Sequence, residues 1–208
     1  METLSLLGVA LGFATLSGIN LYLTTFLAGM AIRFNWLDLA EKYDSLAILA
    51  NPWIIGVAGV LFLLEFFADK IPWLDSSWDA VHTFIRPVGG TLLALAALGE
   101  MDPAIAVIAA LLSGGTTLLT HATKASSRLL INMSPEPVSN VVASLGEDGV
   151  VIAGLGLMVF APVAAFFVFL AVVIIAVWLS RKTFGTIRRG YSALRNKNKA
   201  VPPSVGSP

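Results

Sequence analysis

Five long apolar stretches dominate the chain: Leu4 to Ile32, Pro52 to Ala68, Val81 to Gly99, Ala104 to Thr120 and Gly149 to Ser180. A helix rises 1.5 Å per residue, so about 20 residues cross about 30 Å of hydrocarbon. Stretches of this length limit the fold to an all-α integral membrane protein, a bundle of five or six hydrophobic helical elements. Composition agrees. Apolar side chains make up 57% of the 208 residues and charged ones 12%, about half the charge of a soluble domain. That excludes an ordinary soluble enzyme, a disordered chain and a nucleic-acid binder. With no cysteine, disulfides and thiol chemistry are excluded as well.

Two of the elements read as broken. Leu16-Ser17-Gly18-Ile19-Asn20 interrupts the first, and Ser113-Gly114-Gly115 interrupts the fourth. The segments around them are alike. Residues 16–24 read LSGINLYLT and residues 112–120 read LSGGTTLLT, identical at five of nine positions. Units 1–99 and 103–180 would then form an inverted repeat, the plan of transporters that bind at paired broken helices near the midplane. Six crossings require the fifth stretch to divide at Pro162, since Pro removes an N–H and biases Ala161 away from helix. Charge placement favours six. Length favours five, because Gly149 to Phe160 is twelve residues, about 18 Å.

Net charge is zero but uneven. Residues 181–208 carry seven bases and no acid; residues 1–180 carry six bases and all thirteen acids. Bases beside the last span mark its cytoplasmic side. Residues 1–180 are therefore read as the membrane domain. Residues 181–208 are read as a basic, disordered cytoplasmic tail. The start, METLSLLGVAL, lacks a basic n-region and reads as mature structure.

Three constellations carry candidate chemistry. Around the breaks, Ser17, Gly18, Asn20, Thr24, Ser113, Gly114, Gly115, Thr116, Thr117 and Thr120 place hydroxyls, an amide and freed backbone groups where lipid satisfies none of them. They are the expected solute or ion pathway. Close packing through Gly8-xxx-Gly12 and Ala14-xxx-Gly18 is the plainer alternative. Second, Glu65 and Asp69 share a helix face at i, i+4, and an acid inside a span is a functional hypothesis by default, here proton coupling. Its plainer alternative is pairing of Glu65 with Lys70 at the span end. Third, Asp79, His82 and Arg86 follow i, i+3, i+7 and suit a headgroup or anion contact. His121, Lys124 and Arg128 repeat that spacing, with a solvated face as the plainer reading. Two candidate ligands make no metal site, so no metal and no cofactor is expected.

GFATLSGINLYLT, ADKIPWLD and HTFIRPVGG resemble a bacterial membrane-protein family catalogued as a domain of unknown function. The resemblance covers roughly residues 5–180 and implies a multi-span inner-membrane protein. It brings no substrate and no residue roles. The chain has no nucleotide-binding loop and no hydrolase motif. The leading expectation is a secondary transporter or channel-like permease for a small solute or ion, driven by protons. Its alternatives are a non-transporting scaffold or lipid-binding module and, behind them, a lipid-phosphate enzyme using His82 and Arg86. Expected partners are membrane lipids, a small solute or ion and a second copy of the chain, with no nucleic acid.

Overall fold

A computed structural model of the chain describes residues 2–36, 44–132 and 137–199; side chains are described at 2–36, 44–132 and 138–182. These residues form α1 (Glu2–Arg33), a 3-10 segment (Asp44–Ala50), α2 (Pro52–Ala68), α3 (Pro72–Leu98), α4 (Pro103–Asn132), α5 (Pro137–Phe160) and α6 (Pro162–Lys199). No strand occurs among the described residues. Proline opens each helix from α2 to α6, a first-turn position where its missing N–H has no partner to lose. Asn51 caps α2 by accepting the Trp53 N–H at 2.9 Å. Gly99 ends α3 at φ +71°, which only glycine adopts freely.

Beyond an apolar core centred on Phe13 and Leu16, many large apolar side chains face outward. Val57, Val60, Leu64 and Phe67 of α2, Ile105, Ile108, Leu111 and Leu112 of α4, and Phe167, Ile174 and Ile175 of α6 are exposed. Many charged side chains are buried instead. Lipid is as apolar as leucine, so only a membrane makes this arrangement stable. By length and composition alone α1, α3, α4, α5 and residues 162–182 are candidate spans, α1 with a kink inside it at Asn20. The 3-10 segment and α2, bent by 66°, make a sixth candidate.

Contacts set the path of α1. Gly8 packs on the Pro162 carbonyl, Gly12 on Met158 and Phe169, and Leu16 on Gly154. So α5 runs antiparallel to the first half of α1, and α6 returns beside it. The third helix is antiparallel too: His82 meets Tyr22, Arg86 reaches Gly18 and Gly90 meets Ser17. At Asn20 the backbone leaves helical geometry, with φ −148° and ψ 97°. Beyond it Gly29 packs on Leu49 and Ile55, and Ser45 lies beside Gly99. Leu6 and Leu7 share a cavity with Leu98. Both ends of α1 therefore lie toward the C-terminal end of α3. Asn20 is the tip of a helix that enters the bundle and turns back.

Three expectations need correction. The second break is absent, because α4 is one helix through Ser113-Gly114-Gly115. Its hydroxyls bond back to carbonyls of the preceding turn, as Ser113 to Ala109 and Thr117 to Ser113 do, and a continuous helix satisfies its own backbone in lipid. At the position matching Thr116, α1 has Asn20, whose side chain replaces the bonds that a break loses. Second, the fifth stretch does divide at Ala161, but α5 begins at Pro137 and not near Gly149. Its 24 residues span about 36 Å, enough to cross. Third, α6 stays helical through Lys199, past the expected start of disorder at 181, because Lys and Arg extend a helix already formed. Residues 200–208 lie outside the described residues.

Candidate functional site

The site begins at the break. Asn20 caps the second half of α1: its Oδ1 accepts the Leu23 N–H at 2.9 Å, and its Nδ2 donates to Asp148 Oδ1 at 3.1 Å. Thr24 Oγ1 donates to the Asn20 carbonyl at 2.7 Å. The first half of α1 ends with unpaired carbonyls, the negative end of a helix dipole. Two cations take them. Arg86 Nη1 donates to the Gly18 carbonyl, and Lys124 Nζ to the Ile19 carbonyl, each at 3.0 Å.

These cations open a buried ionic network. Arg86 is the fifteenth residue of the 27 in α3 and is fully buried, so it sits near the middle of a span. Its Nη2 donates to Glu65 Oε1 at 2.6 Å, and Lys124 reaches the same oxygen at 3.3 Å. One turn further, Arg128 forks onto Glu147 at 2.9 and 2.8 Å and reaches Asp69 at 3.2 Å. Lys124 also lies 3.3 Å from Glu147 and 3.7 Å from Asp69. Asp79 stands 3.6 Å from Arg86. Three bases of α3 and α4 thus face four carboxylates: Glu65 of α2, Asp69 just past its end, Asp79 of α3 and Glu147 of α5. Buried charges persist only when paired this way.

Two histidines border the network with proton positions set by their partners. Arg86 only donates, so His121 Nδ1 accepts from it at 2.8 Å. The ring proton then sits on Nε2, 3.0 Å from the Asp79 carbonyl. His82 Nδ1 donates to the Trp78 carbonyl at 2.7 Å, so in the neutral ring Nε2 accepts from the Tyr22 hydroxyl at 2.8 Å. Trp78 stacks on His82 with centroids 4.5 Å apart.

The expected pathway residues separate. Ser17, Asn20, Thr24, Ser113, Thr117 and Thr120 are buried, and Gly18 lies against Thr117 and Thr120. Gly114 meets Thr91, and Gly115 faces open space. Thr116 and Ser113 line an apolar cavity of about 630 Å³ between α1, α3, α4 and α6. Glu65 faces the interior and is fully buried. It does not pair with Lys70, whose ammonium donates to the Phe66 carbonyl at 2.7 Å and sits over that ring. Its nearest charges are two cations, not Asp69. Asp79, His82 and Arg86 point inward, away from headgroups, and Arg86 is committed to Gly18, His121 and Glu65. That leaves no free fork for a phosphate. His121, Lys124 and Arg128 are buried, which overturns the solvated-face reading. Their i, i+3, i+7 stripe matches that of Asp79, His82 and Arg86, and the pairing of the two stripes was the available signal. Glu147, Asp148 and Asn140 carried none, because they lie in what reads as a polar connection. Among the described residues no three acidic or histidine side chains converge as metal ligands.

Residues 7–182 match the model of a family described as a domain of unknown function, DUF4126. The chain belongs to that family. No curated protein and no solved structure matches it. Membership agrees with the resemblance carried by residues 12–24, 68–75 and 82–90, and the family contributes no ligand. What the network at the broken helix does must therefore be read from this chain's own residues.

Proposed function

We propose that this protein is a secondary transporter or channel-like permease of the inner membrane for a small solute or ion, coupled to protons. One observation carries the reading: a seven-residue charge network in the bundle interior, with two of its cations bound to carbonyls freed by a broken helix. A membrane protein that only needs stability gains little from such a network, since apolar side chains of similar volume pack at least as well. Ionisable residues inside spans mark ion and proton paths, and broken helices line the sites of known transporter folds. The basic segment from Arg181 fits a cytoplasmic C-terminus. Lys70, Lys124 and Arg128 lie at the same end of the bundle, and Arg33 at the other.

The test uses proteoliposomes loaded with a pH-sensitive dye. A valinomycin-imposed potassium potential, then a panel of amino acids, organic acids and monovalent cations, should produce dye changes absent from protein-free vesicles. Lys124→Met should abolish them. Vesicles that respond to neither challenge would refute transport. The 630 Å³ apolar cavity supports a second reading, a module that holds a lipid chain. That reading requires lipid co-purifying with the inert protein, and its loss when Ala10→Phe fills the cavity.

A further inference from the structure

Asp79 differs from every other acid in the network. It is 5% exposed, and neither carboxylate oxygen has a hydrogen-bond partner. Its one close cation is Arg86 Nη2 at 3.6 Å, and that nitrogen is already engaged with Glu65 at 2.6 Å. A buried acceptor without a donor is costly, and more so when charged. Asp79 also lines a cavity of about 260 Å³ between α3 and α4, together with Ser76, Thr83, Ala125, Arg128 and Leu129. Leu129 and Ala80 at its rim are exposed. Asp79 lies seven residues past the start of α3, roughly 10 Å along it, and so near one membrane face.

We propose that Asp79 is the group through which this protein takes up and releases a proton, reached through the α3–α4 cavity. The chemistry is one O–H bond made and broken: carboxylate plus proton gives the neutral carboxyl. Glu65 serves this poorly, because a proton there would deprive Arg86 and Lys124 of the anion they share. A proton on Asp79 breaks no hydrogen bond and weakens only its longer-range attraction to Lys124 and Arg86, the nearer contact being 3.6 Å. A metal cation fits less well, since Arg128 forms part of the wall and no second carboxylate lines the cavity. The groups that face Asp79 are Asp75, His82 and Arg86 on α3, His121, Lys124 and Arg128 on α4, Glu65 on α2, and Asp69 just beyond it.

The use made of the proton rests on the permease reading, but protonation itself is measured apart from transport. Infrared difference spectra of the purified full chain in nanodiscs, taken between neutral and acidic pH, should contain a protonated-carboxyl C=O band. Asp79→Asn should remove one component of that band while the other carboxyls keep theirs, and Asp79→Glu should keep that component, shifted. Should Asn perturb folding, Ala125→Cys gives a second route. The unmodified variant should show the band, and labelling with a bulky water-soluble thiol reagent should slow its appearance several-fold. A band unchanged by Asp79→Asn, a component that disappears only in Glu65→Gln, or one that tracks sodium instead of protons would overturn the assignment. An intact Asp79 band in a protein that moves nothing would sink the permease reading alone. Flux without that band would sink Asp79 alone.

Discussion

Replacing Arg86 with methionine tests whether the network holds the bundle together through its charges or merely fills space. The substitution keeps a long flexible side chain of similar reach and removes three hydrogen bonds: to Gly18 at 3.0 Å, His121 at 2.8 Å and Glu65 at 2.6 Å. Inside membrane proteins such bonds average about 0.6 kcal/mol, which gives about 2 kcal/mol for three. Stranding one partner of a buried ion pair costs about 3–5 kcal/mol. Lys124 remains 3.3 Å from Glu65, so the low end applies and the expected loss is about 3 kcal/mol. Reversible unfolding in mixed micelles, or steric trapping in bicelles, measures it. The cycle with Glu65→Gln is the sharper test. If charge pairing dominates, the double variant should lose about 1–2 kcal/mol less than the sum of the singles, within the range for residues in one network. Strictly additive singles, or Arg86→Met within about 0.5 kcal/mol of the parent, would refute the argument.

Two further outcomes follow from particular residues. Gly18→Ala forces a methyl onto the Thr120 hydroxyl and to 2.6 Å from the Thr117 carbonyl, so it should cost about 1–3 kcal/mol of overpacking. Gly115→Ala meets nothing within 4 Å and should be neutral or stabilising by up to about 1 kcal/mol through helix propensity; equal effects of the two in thermal denaturation would contradict the packing described. With no native cysteine, Ser126→Cys and Ser204→Cys should both resist an impermeant thiol reagent in intact cells and react after permeabilisation. Labelling of either one in intact cells would reverse the orientation proposed.

Much of the fold was legible because lipid leaves helices few alternatives. Pro162 divides the fifth stretch, as its missing N–H implied, and Asn20 breaks the first. Gly114-Gly115 misled for a physical reason. Glycine permits a break but supplies no group to satisfy one, whereas the Asn20 amide caps Leu23 and reaches Asp148. Chance similarity of small and hydroxyl residues is enough to explain LSG…LT, since one copy turns and the other runs straight. The largest misreading concerned charge. His121, Lys124 and Arg128 read as solvated because soluble proteins place such stripes in water, while here the apolar environment lies outside and the stripe turns inward. An apolar window also misses a helix with one ionic face, which is why the start of α5 was hidden in a polar connection.

The ionic stripes of α3 and α4 also bear on how the protein is assembled. Asp75, Asp79, His82 and Arg86 on α3 and His121, Lys124 and Arg128 on α4 are all buried. A single Asp, Lys or Arg at the centre of a lone inserted helix costs about 2.5–3.5 kcal/mol. Neither helix is therefore at rest in lipid by itself. Synthesis runs from the N-terminus, so the carbonyls of Gly18 and Ile19 and the carboxylate of Glu65 are made before Arg86, and Arg86 before Lys124. Arg86 and Lys124 thus emerge after Glu65, the carboxylate they share, whereas Arg128 emerges before Glu147 and relies on Asp69 until α5 is made. Only the short Gly99–Asp102 turn separates α3 from α4, so the two favour leaving the translocation machinery as a pair. For Arg86 the order of emergence guards against a stranded charge: a chain that inserts α3 without α1 and α2 in place exposes its guanidinium to hydrocarbon.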